Sequence, residues 1–484
     1  MTEHFDHIIV GAGLSGIGAA VHLSKGLPER SYLVLEARHT LGGTWDLFRY
    51  PGIRSDSDMY TLGYRFKPWK GKKAIADGAD IRAYLEEAAE ENGVTDHIRY
   101  HRKAIRAEWS STDEQWTVTT EHTDTGETSQ LTCNFLMSTS GYYNYDGGFT
   151  PDFAGIDDYE GTIVHPQHWP EDLDFTGKRV IVIGSGATAV TLIPNLAEVA
   201  AHVTMLQRSP TYIISQPTTD PIAEQMIKRL PSRLASKAVR ARYLTVSIGF
   251  YEFCRRRPNE ARLFLRKLLE RQLPEDVDFD THFKPKYDPW DQRLCLVPSG
   301  DLFKALRKHT VDIVTDHIDT FTKTGLRLKS GKELEADIIV TATGLNLLAF
   351  GGLQLVVDGK DIKLPETMAY KGMMLSGIPN FVFVVGYTNA SWTLKADLVC
   401  EYTVRLLTHM KKHGKTVMVP RRDPNVGEEP FLDFAANYVL RSVDNFPKQG
   451  SEAPWKLKMN FFTDRKNLRN ASIQDDVMEF SGKS

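Results

Sequence analysis

His7-Ile-Ile-Val10-Gly11-Ala-Gly13-Leu-Ser15-Gly16 is the stretch on which the fold turns. Residues 7–10 read as a buried strand, the glycines as a tight turn, and Ile17 to Leu23 as a helix. A second apolar strand follows at Ser31-Tyr-Leu-Val-Leu-Glu36. A lone Gly-x-Gly-x-x-Gly says little, because glycine-rich turns are common. Here it follows a strand, opens a helix, and has an acid, Glu36, closing the next strand. That is the complete dinucleotide-binding context within one βαβ unit. Gly11 permits the turn, Gly13 lets backbone approach a pyrophosphate, and Gly16 lets helix pack on strand. The helix start offers unpaired N–H groups to the phosphates. Glu36 accepts hydrogen bonds from an adenosine ribose and would repel a 2′-phosphate, so this site reads as FAD.

The pattern returns in mid-chain. Lys178 to Ile183 reads as a strand, Gly184-Ser-Gly186-Ala-Thr-Ala189 as the turn, Thr191 to Ala200 as a helix, and His202 to Leu206 as the next strand. Alanine in place of the third glycine keeps a small residue at the packing position. No acid follows this strand. Gln207 and Arg208 stand there, and an arginine is suited to a 2′-phosphate. The second site therefore reads as NADP(H). The expected class is α/β: two Rossmann-like, doubly wound dinucleotide-binding domains.

Composition agrees with a globular chain. It has 484 residues, 59 Lys+Arg against 62 Asp+Glu, and 41% hydrophobic residues. The near balance of charge argues against nucleic acid as a partner. No run approaches the roughly 20 apolar residues of a membrane span, and residues 1–13 lack a secretory pattern. Four scattered cysteines form neither metal nor disulfide spacing, and without a redox-active pair the chain does not read as a disulfide reductase. A reduced, cytoplasmic setting is expected. The 36 Gly and the 8 Trp, 18 Tyr and 23 Phe suit a large cofactor cleft as well as core and turns.

The balance of charge is an average. Residues 221–271 hold 13 Lys/Arg and 4 Asp/Glu, a local +9, with apolar residues at helical spacing. Residues 213–297 read as a mainly helical insertion. Its basic face could be solvated, attract anionic NADPH, or make weak peripheral contact with an anionic membrane. After it the chain returns to sheet at residues 312–314, 325–328 and 337–344, and residues 377–386 read as another buried strand. The polar C-terminal end reads as an arm or tail. The expected division is 1–149 and 343–484 for FAD, 150–212 and 298–342 for NADP, with 213–297 inserted.

Three further stretches narrow the reading. They are Gly42-Gly43-Thr44-Trp45-Asp46-Leu47-Phe-Arg-Tyr-Pro-Gly52, Tyr159-Glu-Gly161-Thr-Ile-Val-His165-Pro-Gln-His-Trp169-Pro170, and Asp337 through Thr343-Gly344. With both glycine motifs, they resemble the type I Baeyer–Villiger monooxygenases. That family's signature is Phe-x-Gly-x-x-x-His-x-x-x-Trp followed by Pro or Asp. Gly161, His165, Trp169 and Pro170 match it; Tyr159 replaces its Phe. Flavin-containing N- and S-oxygenating enzymes carry a related motif ending in Tyr or Phe, and are the alternative. A non-catalytic flavin-binding redox sensor is a third. Longer stretches, to about Trp455, resemble the thioamide-activating branch of the Baeyer–Villiger family.

The resemblance implies roles. Gly11, Gly13, Ser15, Gly16 and Glu36 hold the FAD pyrophosphate and ribose. Gly43, Thr44, Trp45, Asp46 and Leu47 lie by the ribityl and flavin portion, and Ala104 gives a backbone contact to adenine. Arg54, Ser55 and Asp56 lie between flavin and nicotinamide. Gly184, Ser185, Gly186, Ala187, Thr188, Ala189 and Val190 bind the NADPH pyrophosphate, with Gln207 and Arg208 at the phosphoribose. Arg293 is the catalytic arginine, oriented by Asp56. Gly161, His165, Trp169, Thr343 and Gly344 form the hinge. The implied reaction consumes NADPH and O2, and converts ketones to esters or lactones through a C4a-peroxyflavin. Sulfides and thiocarbonyls are further expected substrates. A permanent cation suits this chemistry because it keeps the peroxide ionised and stabilises the charge on the adduct.

Overall fold

The computed structural model describes residues 2–432 and 436–482. Its first sheet has nine strands. At its centre, Glu3–Val10 lies parallel to Tyr32–Leu35 on one side and to Thr128–Ser138 on the other. The far edge of Thr128–Ser138 is shared. Gln115–His122 runs antiparallel to its first half, and Phe381–Phe383 runs parallel to its second half. The C-terminal segment thus completes the sheet that the N-terminus began. Both faces of the central strands are covered, as parallel strands require. Ile9, Val34 and Met137 face the helices Leu14–Gly26 and Trp392–Lys412. Ile8, Leu33, Leu35 and Leu136 face a second core with Trp109, Trp116 and Phe381.

The second sheet is all parallel, in the order Val311–Thr315, His202–Gln207, Arg179–Ile183, Ile338–Thr341, Thr162–Val164. Val180, Val182, Val203 and Val340 pack against helices Ala187–Leu196 and Asp301–Arg307. Ile181, Ile183, Leu206 and Ile339 face the other way. That face is closed by a three-stranded antiparallel meander of Ile318–Thr322, Gly325–Leu328 and Glu333–Glu335. Residues 325–328 therefore do not rejoin the parallel sheet. Leu326 and Leu328 are both fully buried, and they cap its apolar face.

Between strands His202–Gln207 and Val311–Thr315 of the second sheet, the chain forms three helices, Pro221–Arg229, Ser232–Arg256 and Pro258–Glu270. Asp220 caps the first, accepting from the amides of Ile222 and Ala223, with Pro221 at the first helical position. A parallel pair, Ile213–Gln216 with Cys295–Pro298, brackets this helical region. Residues 478–481 do not form a free tail. Met478–Ser481 pairs antiparallel with Val417–Pro420, burying Met478. Among the described residues no helix is long and apolar enough to cross a membrane.

Candidate active site

Both glycine turns leave the C-terminal ends of their sheets and open on one cleft of about 1040 Å³. That lies at the upper end of the roughly 300–1,000 Å³ of small-molecule sites. The turns are built for close approach. Gly11 has φ +102°, and a Cβ on Gly16 would stand 1.8 Å from the Gly11 carbonyl oxygen. A Cβ on Gly43 would come within 3.1 Å of the Gly13 Cα, so two bare backbones meet at the floor. An extended, backbone-hugging group such as a dinucleotide pyrophosphate suits this floor. The structure has both phosphate cradles and the acid that an FAD site needs.

Glu36 is buried at the end of its strand. It accepts from the amides of Ala12 at 2.7 Å and Arg38 at 2.9 Å, which fixes the turn and leaves further lone pairs toward the cleft. Burial raises its carboxyl above the usual range, although these two donors oppose the rise. Ser15 accepts from the Trp392 indole at 2.8 Å. Thr44 bonds the Tyr145 hydroxyl at 3.2 Å. Gly11, Gly13, Ser15, Gly43, Thr44, Trp45 and Ala104 all line the cleft, as do Arg54, Ser55 and Asp56. From the second turn come Gly184, Ser185, Gly186, Ala187, Thr188 and Arg208.

Five expected contacts point elsewhere, and Gly16 lies beneath its turn rather than in the wall. Asp46 is fully buried and turned from the cleft toward Arg38, Arg49 and Arg82. It sits on the short helix Thr44–Leu47, where Thr44, Trp45 and Phe48 take the cleft face. Leu47 packs into the core of the second sheet. Ala189 and Val190 are likewise fully buried there, filling the packing position of the helix. Gln207 donates to the His282 carbonyl at 2.8 Å and to the Thr315 hydroxyl at 2.9 Å. Side chains alternate along a strand, so Leu206 and Arg208 reach the cleft and Gln207 cannot.

Arg293 and Asp56 meet in the cleft at 2.5 Å, with 29% and 35% of their side chains exposed to it. Burial alone would lower the pKa of Arg293. The facing Asp56 carboxylate, then the phenols of Tyr438, Tyr143 and Tyr142, hold it above the ordinary arginine range. The juxtaposition is built by two backbone bonds and an ion pair. Ser55 donates to Ala76 at 3.0 Å, Ala74 donates to Thr218 at 2.8 Å, and Arg54 bonds Asp301 at 2.6 Å. These link the loop of Asp56 to the strand pair whose second strand, Cys295–Pro298, follows Arg293. The second guanidinium nitrogen of Arg54, Nη2, is buried without a partner among the described residues, and Arg54 lines the cleft.

His165 follows Thr162–Val164, and Gly344 follows the neighbouring strand Ile338–Thr341. The His165 Nδ1 accepts from Gln167 at 3.2 Å and its Nε2 faces the Gly344 carbonyl at 3.2 Å. This pattern defines a neutral ring protonated on Nε2. Burial lowers its pKa, and the bond to the Gly344 carbonyl opposes that shift. Thr343 donates to Phe149 at 2.5 Å. The outgoing and returning connections are thus paired, with Asn144 donating to Asn346 and Leu348 to Tyr142. Trp169 is packed in the core, whereas Gly161 stands at the start of Thr162–Val164, away from this crossing, where a Cβ would be 2.8 Å from the Asp337 carbonyl. Asp337 itself bonds Arg179 at the opposite end of the sheet, away from the crossing.

Sequence reasoning missed Tyr142, Tyr143, Tyr145, Tyr438 and Arg441, all of which line the cleft. Ser140-Gly-Tyr-Tyr-Asn-Tyr145 offered a signal, since it follows a strand end as the glycine motifs do. Tyr438 and Arg441 offered none, because a distant C-terminal turn delivers them.

Comparison with known proteins agrees with this architecture. A family model described as flavin-binding monooxygenase-like matches residues 75–245, and one for an NAD(P)-binding Rossmann-like domain matches residues 9–67. The chain is 56% identical to the FAD-containing monooxygenase EthA of Mycobacterium tuberculosis, covering 99% of this chain and 98% of that one. Identity to the EthA of Mycolicibacterium smegmatis is 53%, with the same coverage. Among solved structures, an oxidized steroid monooxygenase bound to NADP matches with a TM-score of 0.77 at 22% identity, covering 99% of this chain and 100% of that one. Near-complete coverage at such identity, on a structure with both dinucleotide turns intact, decides the matter: the chain belongs to the FAD-containing flavoprotein monooxygenases, of the Baeyer–Villiger type its motifs resemble.

Proposed function

We propose that this monooxygenase uses NADPH and O2 to insert one oxygen atom beside a ketone carbonyl, giving an ester or lactone, NADP⁺ and water. Sulfides and thiocarbonyls would be oxygenated in the same cleft. The observation that carries this reading is the Arg293–Asp56 pair at 2.5 Å, ringed by tyrosines, within a cleft shared by both phosphate turns.

Bound FAD supplies the redox chemistry and the activation of oxygen. The chain supplies position and charge. Gly11, Gly13, Ser15 and Glu36 would hold the FAD pyrophosphate and ribose, with Gly43, Thr44 and Trp45 beside the ring system. Gly184 to Thr188 would hold the NADPH pyrophosphate, and Arg208 its 2′-phosphate. Arg293 keeps its proton at any working pH, so it can stabilise anionic oxygen before and after attack on the carbonyl. Asp56 is a positioning residue, which fixes the guanidinium without touching substrate. His165 is neutral and bonded at both nitrogens, which supports a hinge role over that of a base. Cyclic and linear ketones incubated with enzyme, NADPH and O2 should stimulate NADPH oxidation and yield products heavier by one oxygen by mass spectrometry. NADPH oxidation that no ketone stimulates, with no such product, would refute the ketone reading.

A further inference from the structure

The helical region has a corner that the cleft does not explain. Residues 227–234, Ile-Lys-Arg-Leu-Pro-Ser-Arg-Leu, are all exposed, eight in succession across the turn between helices Pro221–Arg229 and Ser232–Arg256. Such a run describes a convex projection, since a groove would bury some of its side chains. Its apolar members are not incidental. Ile227, Leu230 and Leu234 are 44%, 39% and 56% exposed, and Ile222 one turn earlier is 55% exposed. Water-facing leucine and isoleucine at the tip of a projection keep the unfavourable hydration of apolar surface that burial would relieve.

Charge surrounds them. No acidic residue occurs from 225 to 251, a stretch with six Lys/Arg. Two of these are committed inward: Arg240 donates to the carbonyls of Tyr60 and Gly63, and Arg242 pairs with Asp220. The other four, Lys228, Arg229, Arg233 and Lys237, all flank the corner and carry no carboxylate partner among the described residues.

We infer that this corner docks on an anionic lipid bilayer, with Leu230 and Leu234 entering the interface and Lys228, Arg229, Arg233 and Lys237 meeting the headgroups. A bilayer fits better than an acidic protein for two reasons. A convex tip has no groove to receive a partner's side chains, whereas a deformable interface accepts it. The cations also lie on both sides of the apolar tip, as they do in interfacial helices. The same long helix leads back to the cleft, since Tyr251 packs on Trp290 three residues before Arg293. One helix therefore links the docked face to the loop that carries Arg293.

The test uses the full FAD-loaded chain with extruded vesicles of phosphatidylcholine, either pure or in equal mixture with phosphatidylglycerol, read by co-sedimentation. Wild type should bind the anionic vesicles at least tenfold more strongly than the neutral ones, and lose that binding in about 0.5 M salt. The variant Leu230→Ser/Leu234→Ser should bind the anionic vesicles at least fivefold more weakly. The variant Lys228→Gln/Arg229→Gln/Arg233→Gln/Lys237→Gln should lose the preference for them. Both should keep wild-type flavin absorbance, which shows that they fold. Equal binding to the two lipids, an unaltered partition of either variant, or self-association through the corner in place of vesicle binding overturns the inference.

Discussion

The His165 imidazole bonds the Gly344 carbonyl at 3.2 Å and joins the Thr343 hydroxyl, which bonds Phe149, in tying the outgoing and returning connections between the two sheets. A Cβ on Gly148 would stand 1.8 Å from that ring, so the glycine is what admits it. Burial lowers the pKa of His165 below the ordinary 6.5, and the folded state therefore prefers the neutral ring. The unfolded chain binds the extra proton first as pH falls. This contribution to stability is complete above about pH 6.5 and is lost below it. Thermal melts between pH 5 and 8 should show the midpoint falling on the acid side. His165→Gln, whose amide can still donate to Gly344, should lessen that acid slope, to which the buried His7, pushed down to about 4, also contributes, while costing about 1–2 kcal/mol at pH 8. An unchanged slope would assign the acid sensitivity to other groups.

Asp46 is wrapped by Arg38, Arg49 and Arg82 and has no exposure of its own. Its removal leaves Arg38 and Arg49 crowded without this counter-charge and Arg82 with Glu86 alone. Asp46→Ala should cost about 3 kcal/mol and lower the melting temperature by several degrees. Asp46→Asn, which keeps the shape and loses the charge, should cost nearly as much. Because Asp46 faces away from the cleft, the flavin spectrum of whatever protein folds should remain that of wild type. A shifted flavin spectrum would place the carboxylate in the site after all.

What the sequence shows depends on how far apart the cooperating residues are. Gly11, Gly13, Gly16 and Glu36 are legible because one βαβ unit fixes their spacing, and backbone geometry does the rest. Arg293 and Asp56 come from segments on opposite sides of the second glycine motif, and no periodicity links them; only the family motif brought them together. Asp46, Leu47 and Gln207 were misplaced for a local reason. A motif names consecutive residues, but a helix or strand sends neighbours to opposite faces. Tyr438 and Arg441 stayed hidden because the C-terminal segment crosses back over the cleft without any glycine turn to mark it.

Gly16 has the tightest contact of the first turn, 1.8 Å from a would-be Cβ to the Gly11 carbonyl oxygen, with the Thr139 hydroxyl 2.9 Å away. The carbonyl is backbone and cannot step aside. Gly16→Ala must therefore push helix Leu14–Gly26 off its sheet and spoil the phosphate turn. The purified variant should carry little or no flavin absorbance and should not regain it on incubation with excess FAD. Retention of stoichiometric flavin would mean that the helix can slide without cost. By contrast, a Cβ on Gly186 meets nothing within 4 Å. Gly186→Ala should keep FAD and, if residues 184–188 hold the second nucleotide, raise the KM for NADPH.

Arg293 offers the sharpest separation between holding cofactors and using them. Its guanidinium pairs with Asp56 and lies apart from both glycine turns in sequence, so its loss should leave both nucleotides bound. Arg293→Ala should still oxidise NADPH, while oxygenated product falls by about 10²–10³-fold and hydrogen peroxide takes its place. Arg293→Lys should recover part of the product at neutral pH and lose it as pH rises through the lysine titration, a pH profile that a structural role would not produce. Asp56→Asn leaves the cation in place but free to turn. Product kcat should then fall with little change in ketone KM, because positioning is lost while binding is kept. Wild-type product yield in Arg293→Ala would remove the arginine from the chemistry. A fall in flavin content instead would make the pair a structural brace between the loop of Asp56 and the strand after Arg293.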